Sequence, residues 1–276
     1  MPQLLATLED SSVKESSGIA ASRRNSGLFW THNDSGDKPL IFAFDLIGKS
    51  HGTWLVSGAN AFDWEDIAIG PGPVPGQSYI YIGDIGDNRE QRSEIVIYRV
   101  PEPAVSQDLA TFSETNPANT EPAVAMRLEY PDGRYDAEAL LVHPHTGVIY
   151  ILTKSYGPGA LIYKVPAELY TDVTTLERVG EIKLPGQQGG IITGGDISPD
   201  GKMVILCDYQ AAYEFLLPEH DGSFDRIWAE VPTKVQLGTR RQGEAICYSL
   251  DGNSVLATSE GTPCPIFRIT GINNNF

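Results

Sequence analysis

Glu65, Glu138 and Glu244 stand in one local setting. Each is followed by Asp or Ala and then by Ile or Leu at the head of an apolar run, as in Glu65-Asp66-Ile67-Ala68, Glu138-Ala139-Leu140-Leu141 and Glu244-Ala245-Ile246-Cys247. Two further segments keep the pattern without the glutamate, Ser17-Gly18-Ile19-Ala20 and Gly195-Asp196-Ile197-Ser198. Carboxylates gathered by such a repeat repel one another, and some stay protonated unless a positive charge lies among them. Calcium answers that need, because it takes six to eight oxygen ligands with tolerant geometry. The preferred ligands are Glu65, Glu138 and Glu244, with Asp84, Asp196 and Asn33 as second choices. A cation held there could act as a Lewis acid on a small ester, lactone or phosphoester. His32, or a carboxylate outside the metal shell such as Asp84 or Asp208, is then the candidate to activate water. Lys154 or Arg241 could hold an anionic group, and Tyr156 and Tyr209 could face the ligand. The plainer alternative is that these acids cap backbone amides or pair with Arg134, Lys154, Arg240 and Arg241, the mouth serving as a non-catalytic ligand-binding scaffold with a structural ion.

The elements that position these residues are legible as a repeat. The five lead residues are about 48, 73, 57 and 49 positions apart, and passing from Glu244 through the C-terminus to Ser17 adds about 49, the pitch of a repeat array. After each opener comes a turn rich in Gly, Asn and Asp, such as His145-Thr146-Gly147 or Pro199-Asp200-Gly201, of the kind that closes tight hairpins. Second strands follow, among them Val148-Ile149-Tyr150-Ile151-Leu152, and then third strands such as Ile95-Val96-Ile97-Tyr98. Fourth strands are expected at Thr53–Val56, Ala123–Leu128, Arg178–Ile182 and Arg226–Val231. The last unit stops after its third strand, and Gln3-Leu4-Leu5-Ala6-Thr7-Leu8 supplies the piece that closes the ring. The expected fold is all-β: one five-bladed β-propeller over residues 1–276, with four antiparallel strands per blade. The surplus between Glu65 and Glu138 is an irregular insertion at about 101–122, dense in Pro, Ser, Thr and Asn and too short for a sixth blade. A β-sandwich explains short strands but not their in-phase recurrence.

In such a blade the start of the first strand and the loop between the second and third strands lie at the same end, so both sets meet at one mouth of the channel. Asp63 and Asp136 arrive there with the openers, and the loops bring His32-Asn33-Asp34, Asp84, Lys154, Asp208-Tyr209 and Glu260. Asn33-Asp34-Ser35-Gly36-Asp37 and Asp84-Ile85-Gly86-Asp87-Asn88 suggest calcium loops but lack the ligand spacing of an EF-hand, and Asx-turns explain them as well. His143, His145 and His220 fall in turns at the opposite end.

Composition narrows the partners. A net charge of −16 and a pI near 4.6 argue against nucleic acid, whose binding requires clustered Lys and Arg. No run approaches the length of a membrane span. Cys207, Cys247 and Cys264 are odd in number and lack metal-like spacing, so they read as small buried hydrophobes. The N-terminal residues lack a basic region and a long apolar core. The expectation is a monomer acting on a small molecule, either cytoplasmic or extracytoplasmic with a leader removed. No Gly-x-Ser-x-Gly elbow or His-Glu-x-x-His helix is present, which removes the common serine-hydrolase and zincin routes.

The openers Glu65-Asp66-Ile67-Ala68 and Glu138-Ala139-Leu140-Leu141 resemble the strand-opening signature of calcium-dependent propellers: the esterase-like phytase group, the SdiA-regulated propellers and, more distantly, the gluconolactonase and paraoxonase group. The resemblance implies a calcium ion in the channel mouth held by the strand-opening glutamates, and in some members hydrolysis of a lactone or phosphoester. This chain has five openers where those families usually have six, with Ser17 and Gly195 at two of them.

Overall fold

The computed structural model describes residues 1–106, 112–157, 159–168, 172–185, 189–219 and 222–271. Strand β1 (Pro2–Thr7) leads into blade 1, formed by β2 (Ser16–Ala21), β3 (Leu28–Asn33), β4 (Leu40–Asp45) and β5 (Ser50–Leu55). Blade 2 contains β6 (Trp64–Pro71), β7 (Ser78–Asp84), β8 (Ile95–Pro101) and β10 (Val124–Glu129). Between its last two strands, β9 (Ala118–Asn119) crosses back to pair in parallel with β5. Blade 3 contains β11 (Ala137–Val142), β12 (Ile149–Thr153), β13 (Ala160–Lys164) and β15 (Glu177–Ile182), while β14 (Thr174–Thr175) adds a parallel edge to blade 2. Blade 4 is β16 (Gly194–Ile197), β17 (Met203–Cys207), β18 (Ala211–Leu216) and β19 (Thr233–Gln236). Blade 5 is β20 (Ile246–Tyr248), β21 (Ser254–Ala257) and β22 (Pro265–Thr270), completed on its outer edge by β1.

The chain is therefore a five-bladed β-propeller, with four or five strands per blade. Its innermost strands contact one another in the cyclic order β2, β6, β11, β16, β20 and back to β2. The inner strands read as near-continuous apolar runs because both of their faces are covered: every residue of β11 and β12 is buried. Turns between first and second strands use left-handed glycines, as at Gly147 (φ 72°) and Gly201 (φ 72°), where an L side chain would strain the hairpin.

Large side chains fill the gaps between blades. Trp30 stands edge-on to Trp54 with ring centroids 5.0 Å apart, and Trp64 meets the His32 ring at 5.7 Å. All three of these tryptophans are buried, so their place is packing rather than ligand contact. Replacing any one of them by Ala would cost about 3–5 kcal/mol. The three cysteines are free and buried, as small hydrophobes.

One expected strand is corrected. Residues Phe224–Ala229 form a 3-10 helix, and the outer strand of blade 4 starts later, at Thr233. Ser223 caps that helix by accepting the amide of Asp225, and Ile227 and Trp228, adjacent in sequence, both bury into the cluster between blades 3 and 4. Alternating strand geometry would have exposed one of them. The insertion near 101–122 is irregular apart from β9 and a Ser113–Asn116 bridge, although residues 107–111 lie outside the described part.

Candidate metal centre at the channel mouth

A β-bulge places each of the first three openers. Ser16 faces Asn33 while Gly18 faces His32, Trp64 faces Asp84 while Asp66 faces Gly83, and Ala137 faces Thr153 while Ala139 faces Leu152. The extra residue in each register is the opener itself: Ser17, Glu65 or Glu138. A bulge re-aims a side chain that regular pairing would lock into the sheet. Blade 4 lacks it, since Gly194 and Gly195 pair in register with Cys207 and Leu206. In blade 5, Glu244 precedes β20, with its Oε1 accepting Gln242 Nε2 at 3.0 Å.

Seven carboxylates meet at this end in three overlapping groups: Asp34, Asp63 and Glu65; Asp34, Glu244 and Glu260; and Glu65, Asp136 and Glu138. Within each group one oxygen per residue lies within 4.8 Å of the others, close enough to share one cation. Among the described residues the seven have one cationic partner, Lys154, whose ammonium contacts Glu138 Oε1. Lys154 also lies 5.4 Å from the centroid of the Tyr209 ring. Glu65 Oε1 is pressed against the backbone of Gly86, where even a methyl group would collide with it.

The electrostatics follow from burial and crowding. Burial, reinforced by Glu138, Asp34 and Asp63, holds Glu65 well above the carboxylate range. Burial raises Glu138 to about 7 despite Lys154, and burial with the neighbouring Glu260 carboxyl raises Glu244 to about 9. Asp63, half-buried beside Asp34 and Asp136, is raised to about 6, chiefly by desolvation. Burial also pushes Tyr209 up to about 12. Glu244 is 5 % exposed, and its Oε2 is a buried atom that receives no donor from the other described residues, with only the Glu260 carboxyl facing it. An unpaired buried carboxylate oxygen is costly, and a cation removes the cost.

The other candidates fall in different places. Asn33 spends its whole amide on protein: Oδ1 accepts Lys14 N and Glu15 N at 2.9 and 3.1 Å, and Nδ2 donates to Ser12 O and Asp37. Asp84 is bound by Arg92 at 2.8 Å and by the amides of Phe62 and Asp63. Asp208 closes its own turn, accepting Gln210 N, Ala211 N and the Tyr213 hydroxyl. Asp196 does not join the mouth groups. Its oxygens accept Ile197 N at 2.8 Å and Tyr248 N at 2.9 Å, and it lines a small cavity with Arg23, Ile69 and Pro199. His32 is wholly buried: Nδ1 is 2.8 Å from Asn33 O, Nε2 has no partner, and desolvation lowers its pKa to about 4. Arg241 and Tyr156 are exposed. Arg240 bonds the carbonyls of Thr258 and Asp208, and Arg134 bonds that of Gln91, so neither neutralises the cluster. Of the turn histidines, His143 packs on Phe224 and His145 is exposed, while His220 lies outside the described residues.

Sequence reasoning placed Asp34, Asp63, Asp136 and Glu260 at the mouth without choosing them as ligands. The missing signal is three-dimensional. Only the closed ring shows that Asp34 bridges blades 5 and 2, and that Glu260 meets Glu244.

No family model and no curated protein sequence matches the chain. The fold has counterparts among solved structures. A gluconolactonase from Xanthomonas campestris superposes with a TM-score of 0.50 at 10 % identity, over 98 % of this chain and 89 % of that one. A hydrazine synthase from Kuenenia stuttgartiensis gives a TM-score of 0.46 at 11 % identity, over 93 % and 72 %. At these identities the likeness is one of fold.

Proposed function

We propose that the mouth binds a hard divalent cation, calcium by the chemistry of its donors, and that the protein uses it to hydrolyse a small ester, lactone or phosphoester. The observation that carries the reading is the buried, partnerless Glu244 Oε2 within a set of seven carboxylates that has one ammonium among its ion pairs. Glu65, Glu138 and Glu244 are the ligands, joined by Asp34, Asp136 and Glu260, with Asp63 beside them. All are oxygen donors, as calcium prefers. When bound, such an ion supplies Lewis acidity toward a carbonyl or phosphoryl oxygen.

The chain's own groups divide the remaining work. Asp63, raised to about 6 and still half-exposed, is suited to take a proton from water near neutral pH. Lys154 and Tyr209, one against the other at the rim, hold an anionic group of the substrate. Arg241 and Tyr156 flank the entrance from exposed positions. The gluconolactonase among the structural neighbours supports including lactones among the substrates tested.

One observation favours a second reading. His32 is sealed from solvent, and Asp84 and Asp208 are fully engaged, so the ion could serve only to stiffen the mouth of a ligand-binding scaffold. Thermal unfolding of chelator-stripped protein, with calcium then returned, tests the shared premise. A rise in the unfolding temperature is expected, and an unchanged value overturns both readings. Calcium-dependent turnover of a lactone or phosphoester panel, lost in the combined Glu65→Gln, Glu138→Gln and Glu244→Gln variant, separates enzyme from scaffold.

A further inference from the structure

The seven mouth carboxylates are not one cluster but a chain with two ends. At one end are Glu65, Asp136 and Glu138, from blades 2 and 3; at the other are Glu244 and Glu260 from blade 5 with Asp34 from blade 1. Asp34, Asp63 and Glu65 link them, because Asp34 belongs to the blade 5 group and Glu65 to the blade 3 group. The two ends differ in what already neutralises them. Glu138 has the Lys154 ammonium, and Asp136 Oδ1 accepts the Asp87 amide at 2.8 Å. Among the described residues the blade 5 end has no cationic partner, Gln242 serves only Glu244 Oε1, and Glu244 Oε2 is buried without a partner.

A single cation leaves one end unserved. Placed between Glu65, Asp136 and Glu138, it leaves Asp34, Glu244 and Glu260 within 4.8 Å of one another without a countercharge. Placed at the blade 5 end, it leaves the blade 3 end with one ammonium for three buried acids. With every acid ionised, one divalent ion and Lys154 still leave the mouth strongly anionic, and a second divalent ion halves the remainder. We infer that the mouth holds two neighbouring divalent cations, one among Glu65, Asp136 and Glu138 and one among Asp34, Glu244 and Glu260, with Asp63 beside the carboxylates that join them. The inference rests on the cation-binding reading above and goes beyond it in number and place.

Calcium titration of the chelator-stripped full chain, by isothermal calorimetry and by equilibrium dialysis, counts the ions directly. Two equivalents per chain are expected. One equivalent overturns the two-centre inference while leaving the cation-binding reading intact, and none overturns both. The combined Glu244→Gln and Glu260→Gln variant should lose one equivalent and keep the other, as should Asp136→Asn combined with Glu138→Gln. If either variant that still unfolds cooperatively keeps two equivalents, the assignment of the ends is wrong. The wild-type count stands whether or not a variant folds.

Discussion

Glu102 and Glu244 are both carboxylates withdrawn from water, at opposite ends of the ring. Glu102, fully buried where blades 1 and 2 meet, receives the Ser22 hydroxyl and Trp30 Nε1 on one oxygen and Arg24 N and the Ser78 hydroxyl on the other. Asp66 is treated alike, gripping Ile67 N and, across the blade boundary, Leu140 N at 2.9 Å. Glu244 has one amide donor on Oε1 and nothing on Oε2. Where the fold uses an acid as a rivet it supplies every donor, and at Glu244 it withholds them from one oxygen. A carboxylate left short of donors is destabilising until something outside the chain completes it.

The comparison is broken most directly at its structural pole. Glu102→Ala strands at least four donors in a buried seam and should lower stability by about 3–5 kcal/mol, equally with calcium and with chelator, in denaturant titrations. A calcium-dependent loss would put Glu102 in the wrong class. Arg92→Ala comes next at about 3 kcal/mol, since it leaves Asp84 buried without its guanidinium and adds another uncompensated acid near the mouth.

At the mouth the sign reverses. Glu65→Gln removes an acid that folding forces either to take up a proton or to sit ionised among like charges, so the chelated protein should gain about 1 kcal/mol, while the calcium increment, about 2.7 kcal/mol at a hundredfold excess over Kd, should shrink. A loss of stability in chelator would contradict the repulsion that defines this pole.

The pH dependence sharpens the same contrast. Glu138, Glu244 and Asp63 have folded pKa values near 7, 9 and 6, above their unfolded values, so the folded chain binds more protons in that window. Metal-free protein should therefore lose several kcal/mol of stability as pH rises from about 5 to 9, and calcium should flatten the slope. His32 works oppositely: its folded pKa near 4 lies below 6.5, so its contribution is lost as pH falls through that interval. Melting temperatures across pH with and without chelator measure both slopes. The smallest effect belongs to Tyr156, 70 % exposed at the rim. Tyr156→Ala should change stability by less than about 0.5 kcal/mol and alter only ligand affinity.

Much of the ring was legible because hairpin punctuation and strand openers are local signals. Turns at Gly147, Gly201 and Gly252 and the closing strand at Pro2–Thr7 lie where the sequence puts them. Arg226–Val231 was misread because Ile, Trp and Val favour strands, whereas the Ser223 cap and burial of consecutive side chains decide for a helical turn. Phase alone placed Glu65, Glu138 and Glu244 at one mouth, although Glu65 and Glu138 share one group of acids and Glu244 stands in another. What the sequence could not show is the donor inventory: that Asn33 and Asp208 spend their oxygens on nearby amides, that Arg92 occupies Asp84, and that bulges single out residues 17, 65 and 138. Those depend on where neighbouring backbone groups point after the ring has closed.

The pairing of β1 with β22 sets an order of events. Blade 5 takes its outer strand from residues 2–7 and its other three from 246–270, so a strand made before the rest of the ring waits for strands made after it. Glu244 and Glu260 travel with that late segment, while Glu65, Asp136 and Glu138 are made much earlier. A nascent chain thus carries five of the seven mouth acids long before Glu244 and Glu260 exist, and the site is completed only when the ring closes.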